Sequence, residues 1–167
     1  MRWFVSCCVV VCSLIFAETA YADAMRHPEA DAAYSAEAQD MKGWQESLYR
    51  GTWYDPAYED YRKCIMERES HFDYYASNPT STAEGAYQFL DGGGGKGTWR
   101  NGLAWMMLDE SKRSGDTLDD EIRQLFDKRI DQWNRYFQDR AWWTAFRFGK
   151  GAKHWYLAGS PCNILAR

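Results

Sequence analysis

The chain has 167 residues, enough for one domain and too few for two of ordinary size. Its 26% charged and 46% hydrophobic residues suit a soluble globular protein, and a net charge of −4 argues against a nucleic-acid partner, whose phosphates call for a basic face. Aromatic residues reach 17%, so rings beyond those needed for a core are available to stack on the flat faces of a ligand such as a neutral sugar chain.

Arg2 is followed by the apolar run from Trp3 to Phe16 and then by Ala20-Tyr21-Ala22, the small-x-small pattern of a signal-peptidase site. Residues 1–22 therefore read as a signal peptide, with a run too short for an ordinary membrane span. Only an uncleaved signal would leave the chain on a membrane. No small residue precedes Cys7, Cys8 or Cys12 as a lipoprotein site would require. The expected destination is the periplasm or the exterior. Cys64 and Cys162 then remain in the mature chain, and two cysteines in an oxidising compartment point to one disulfide, with two buried thiols as the alternative.

Residues 23–48 are polar and read as a spacer or a weak helix, with order expected from about Trp44 and the folded domain over 49–167. Asp55-Pro56 open a helix as N-cap and first residue, and Tyr58, Tyr61, Cys64, Ile65 and Arg68 continue it at helical spacing to about Ser70. Residues 71–98 lack helical signal. Ala86 to Phe89 could form a short strand there, and Gly92–Gly95 with Gly97 form a flexible tip that lacks the ending of a phosphate loop. A helix is expected at 98–112. Another is expected from the period of Leu118, Ile122, Leu125, Phe126, Ile130 and Trp133, capped by Thr117. The last is expected at 139–148, stopped by Gly149 and Gly151. The fold class is mostly α, in a single domain.

The stretch Cys64-Ile-Met-Glu-Arg-Glu-Ser70 carries two carboxylates on different sides of its helix. Glu67 follows Lys63 by one turn and reads as half of a surface pair. Glu69 sits beside apolar residues at the carboxyl-terminal end of the helix, where burial and the helix dipole both disfavour a charged carboxylate. A carboxyl kept protonated is what a general acid requires.

Glu69-Ser70, Gly85-Ala86-Tyr87-Gln88-Phe89, Thr98-Trp99 and Ala145-Phe146-Arg147-Phe148-Gly149-Lys150-Gly151 resemble, in order, four sequence blocks of the soluble lytic transglycosylase family. They are similar as well to the catalytic domains of resuscitation-promoting factors and other goose-type-lysozyme relatives. Asn78-Pro79 falls between the first two blocks, as in many such proteins. The resemblance covers about residues 50–162 and implies a lysozyme-like fold with a loop or short β region after the catalytic helix. It implies a monomeric enzyme that cuts the β-1,4 bond of peptidoglycan glycan strands without metal or organic cofactor.

In that frame Glu69 is the sole catalytic acid and base, Gln88 binds sugar polar groups and Ser70 buttresses the acid. Tyr87, Trp99, Phe146 and Arg147 are the remaining candidate substrate contacts. The family's Tyr-Asn pair falls on Phe146-Arg147, which removes a hydroxyl and adds a charge suited to a carboxylate. A local shift of the alignment would bring Trp143 or Tyr156 to the cleft instead. His154 has no partner at metal-ligand spacing and reads as structural or substrate-facing, while His71 lies close behind the acid. The family's single-acid chemistry ends in a 1,6-anhydro ring. A hydrolase would place a water there, with Asp73 the only nearby acid to orient it, and a non-catalytic wall-binding module is the third alternative.

Overall fold

The structure, a computed structural model, describes residues 27–90 and 98–166; the expected signal peptide and the glycine-rich tip lie outside them. The described chain is mostly helical. In order come α1 (Pro28–Tyr34), α2 (Glu59–Ser70), α3 (Thr98–Ser114), α4 (Asp119–Gln124), α5 (Arg135–Phe146) and α6 (Cys162–Leu165), joined by turns and short 3-10 segments. Between α2 and α3 lie two short antiparallel strands, β1 (Ala83–Glu84) and β2 (Phe89–Leu90), with Ala83 opposite Leu90 and Glu84 opposite Phe89. The small β region expected after the helix bearing Glu69 is therefore present. Among the described residues no helix is long and apolar enough to cross a membrane.

Helix α5 is the centre of the fold, for every one of its twelve residues is buried. Asn134 caps it by accepting from the Phe137 amide at 3.2 Å. Its apolar side supplies Trp142, Trp143 and Phe146, and its charged residues are neutralised inside the protein. Asp139 meets Arg62 of α2 at 3.2 Å, and Arg140 meets Glu110 of α3 at 3.1 Å and Asp116 at 2.9 Å. Buried charges are tolerated only when paired in this way, so the two clusters fix which helices face α5. Helix α5 starts four residues earlier than expected, at Arg135, and Arg135 and Gln138 are core residues here.

Two further expectations need correction. Order begins well before Trp44: α1 packs on α5, and Ala30, Ala33 and Ala38 are buried in the core. Buried Glu29 accepts from the Tyr136 hydroxyl at 2.8 Å and from the Arg50 amide at 3.2 Å. Alanine methyls at helical spacing give this face, which carries too little apolar volume to register as a periodic stripe. The long helix expected from Leu118 to Trp133 is instead α4 followed by two 3-10 turns, Leu125–Asp127 and Ile130–Gln132. Thr117 is left-handed, with φ +64°, and the buried Asp116 carboxylate accepts from the Leu118 amide at 3.1 Å in its place. Near Arg129 the chain is drawn to β1, since Glu84 pairs with that guanidinium at 3.0 Å and accepts from the Ile130 amide at 3.0 Å. Leu118, Ile122, Leu125, Ile130 and Trp133 are nevertheless all buried, so the apolar period marks the core face without a continuous helix.

Cys64 and Cys162 form a disulfide with Cα atoms 5.6 Å apart, fastening α6 against α2 across 98 residues of sequence.

Candidate active site

The last turn of α2 delivers Glu69 to the edge of an open cleft of about 390 Å³. The turn at 85–88, β2, the start of α3 and the segment 153–155 form the rest of it, contributing Tyr87, Gln88, Phe89, Trp99, His154 and Trp155 among others. Glu69 is the only carboxylate among the described residues that line this cleft. Its side chain is 26% exposed. Arg68 donates to Glu69 Oε1 from Nε at 2.9 Å and from a terminal nitrogen, and reaches across to the Trp155 carbonyl at 2.8 Å and the Ser160 hydroxyl at 3.1 Å. Glu69 Oε2 accepts no hydrogen bond from the described residues, so the two oxygens are unequal. Glu67 is exposed, and Lys63 pairs with Glu46 rather than with it.

Ser70 does not face the cleft wall. Its hydroxyl donates to the Ala86 carbonyl at 2.9 Å and accepts from the Asp73 amide at 3.2 Å, binding the end of α2 to the turn that carries Gln88. Gly85 permits that turn: its φ is +74°, and a Cβ there would sit 2.3 Å from Gln138 Oε1, which accepts from the Ala86 amide. Gln88 is left-handed at φ +49°, donates from Nε2 to the Gly85 carbonyl at 3.0 Å and lines the cleft. Tyr87 is fully buried. It edges the cleft, while its hydroxyl donates to Asp139 at 2.6 Å and accepts from Arg62 at 2.6 Å, and its carbonyl accepts from Trp155 Nε1 at 3.1 Å.

Trp99 is half-buried, with its ring 4.6 Å from His154 and 6.1 Å from Phe89, centroid to centroid. It borders both this cleft and a second one of about 300 Å³, which also contains Met106, Arg147, Lys150, Lys153 and His154. Burial, and then the Lys153 charge, lower the His154 pKa below its ordinary value and favour a neutral imidazole.

Phe146 is not a cleft residue. It is fully buried and stacks on Trp142 with centroids 4.6 Å apart and planes 15° from parallel. Arg147 takes the left-handed position that ends α5, with φ +45°, and its side chain lies on the second cleft. Gly151 closes this block, for its amide donates to the Phe146 carbonyl at 2.8 Å and a Cβ would lie 1.9 Å from the Ala145 carbonyl oxygen. Trp143 is buried, and Tyr156 lies on another face, beside Tyr61 and Ala152, so the shifted alignment is not realised. His71 is exposed and outside both clefts. Asp73 accepts from the Tyr75 amide at 2.9 Å and pairs with Lys42 at 3.3 Å, which makes it a turn residue.

Comparison with protein-family models, curated proteins and solved structures finds no match to this chain in any of the three. The site must therefore be read from its own geometry. Among the described residues no group of three or more His, Cys, Asp or Glu side chains is placed to hold a metal ion. Lys153, Trp155 and Lys150, absent from the sequence-based candidates, belong to the clefts. The signal that could have found them is Lys150 within the Gly149-Lys150-Gly151 block and the run Lys153-His154-Trp155 just after it.

Besides Thr117, the described non-glycine residues with positive φ are His71, Phe72, Gln88, Arg147 and Phe148. These follow the Glu69 helix, lie in the Gln88 turn, or end α5 beside the second cleft. Strain of this kind persists only where surrounding structure holds it, and it is concentrated around the candidate site.

Proposed function

We propose that this chain is an exported peptidoglycan lytic transglycosylase of lysozyme-like architecture, cutting the MurNAc-GlcNAc β-1,4 bond with Glu69 as its single acid and base. The observation that carries the proposal is a carboxylate, the only one among the described lining residues, at the edge of an aromatic-walled cleft beside Gln88. The half-buried ring of Trp99 offers a flat face to a sugar, beside the buried rings of Phe89 and Trp155, and Gln88 and His154 offer polar partners to hydroxyl and acetamido groups. Glycosidases that use two carboxyls need both at the bond; a single one favours help from the substrate itself.

In the mechanism we propose, Oε2 of Glu69 carries the proton, since both Arg68 donors occupy Oε1. Protonation of the glycosidic oxygen breaks the bond while the N-acetyl group of the muramic sugar attacks its own anomeric carbon. Arg68 stabilises the Glu69 carboxylate so formed. That carboxylate takes the proton of the 6-hydroxyl, whose oxygen displaces the acetamido group and closes the 1,6-anhydro ring. The disulfide is compatible with an oxidising destination.

The Arg68–Glu69 pair also favours a second reading, a wall-binding module in which Arg68 holds the carboxylate as a binding group that takes no part in proton transfer. Release of soluble fragments from dye-labelled peptidoglycan separates the two. The enzyme reading predicts release that falls by about a hundredfold or more in Glu69→Gln; binding with no release from the parent protein would establish the module.

A further inference from the structure

The second cleft joins the first through Trp99, Lys153 and His154, which border both. Its charge is one-sided. Arg147, Lys150 and Lys153 are exposed, none of them forms an ion pair with the described residues, and no carboxylate among the described residues borders this cleft. The chain as a whole carries −4, and several other basic residues, among them Arg62, Arg68, Arg129 and Arg140, are matched with acids. Arg147 is held in place by a bond from Nε to the Thr144 carbonyl at 3.1 Å and by packing over the Trp53 ring, 5.6 Å from its centroid. A neutral sugar needs no such surface; an anionic substituent next to the sugar does.

We propose that this cleft binds the carboxylates of the peptide stems borne by the same glycan strand whose sugars occupy the Glu69 cleft, so that the protein prefers strands with free stem carboxylates to strands in which these are blocked. The inference rests on the peptidoglycan reading above. Stems branch from the lactyl ether of the muramic sugar and carry free carboxylates, so a strand lying along Trp99 would bring a stem within reach of Arg147 and Lys150. Lys150 borders only the second cleft, and Lys153 stands between the two.

The test uses the full-length Glu69→Gln protein, which binds without cutting, and soluble peptide-bearing glycan strands whose stem carboxylates are either free or blocked as neutral amides. Affinity is measured by fluorescence anisotropy at low and high salt. Two or three exposed charge pairs predict unblocked strands binding about fivefold more tightly than blocked ones. The preference disappears at high salt and in Lys150→Glu but survives in Lys150→Arg, with both variants melting as the parent does. Equal affinity for the two kinds of strand, or a Lys150→Glu variant weakened equally for both, overturns the inference and leaves the glycan reading intact. Failure to bind either strand overturns the glycan reading and this inference with it.

Discussion

Replacing Asp139 with Ala removes the centre of the buried network that connects the core to the cleft. Asp139 Oδ1 accepts from the Tyr87 and Tyr74 hydroxyls at 2.6 and 2.7 Å and faces Arg62 at 3.2 Å, and Oδ2 accepts from the Leu48 amide at 3.0 Å. Burial, together with the Asp139 charge, raises both phenols above their ordinary pKa, so both remain protonated donors. The alanine variant leaves two phenols without this acceptor and a fully buried guanidinium with Glu59 as its remaining counter-charge. Breaking a buried pair from one side costs about 3–5 kcal/mol, a third or more of the stability of a typical domain. For a chain of this size that corresponds to a fall in Tm of roughly 10 °C. Asp139→Asn keeps an acceptor for the phenols and loses less. The assay is thermal and denaturant unfolding of parent, Asp139→Asn and Asp139→Ala. An alanine variant melting within about 2 °C of the parent would show that the network does not hold the core together.

Reducing the disulfide, or replacing Cys64 and Cys162 with Ser, frees a loop of 98 residues in sequence separation and lowers stability by roughly 4–5 kcal/mol in the chain-entropy description; unchanged denaturant unfolding would contradict this. Phe146→Tyr does not restore a reacting-site hydroxyl, because the ring is in the core. It destabilises by about 1–3 kcal/mol without raising fragment release, and a faster enzyme of unchanged Tm would refute the placement. His154 titrates below its ordinary 6.5 when followed by NMR, and Lys153→Ala moves the midpoint up. Since the unfolded chain binds that proton more readily, the contribution of His154 to stability declines as pH falls through about 6.5, and a midpoint at or above that value would contradict the assignment.

Residues that do one local job were the most legible in the sequence. The positions of Gly85 and Gly151 in their blocks follow from close backbone approaches that a Cβ would block, and Cys64 and Cys162 are a disulfide in the fold. Glu69, Gln88, Tyr87 and Trp99, read from three blocks, share one cleft. What escaped was set by tertiary context. Arg62, Asp139, Arg140 and Glu110 are charged residues that belong in the core only because each finds its opposite across helices far apart in sequence. Ala30 and Ala33 are too small for their face to stand out, and Phe146 differs from a cleft residue only in how α5 is turned.

The most direct measurement of the central claim is mass spectrometry of the fragments that the parent protein and Glu69→Gln release from purified peptidoglycan. The account predicts 1,6-anhydro muropeptides from the parent and none from the variant. Reducing-end fragments from the parent would make the protein a hydrolase, and equal release by both proteins would remove Glu69 from the chemistry altogether.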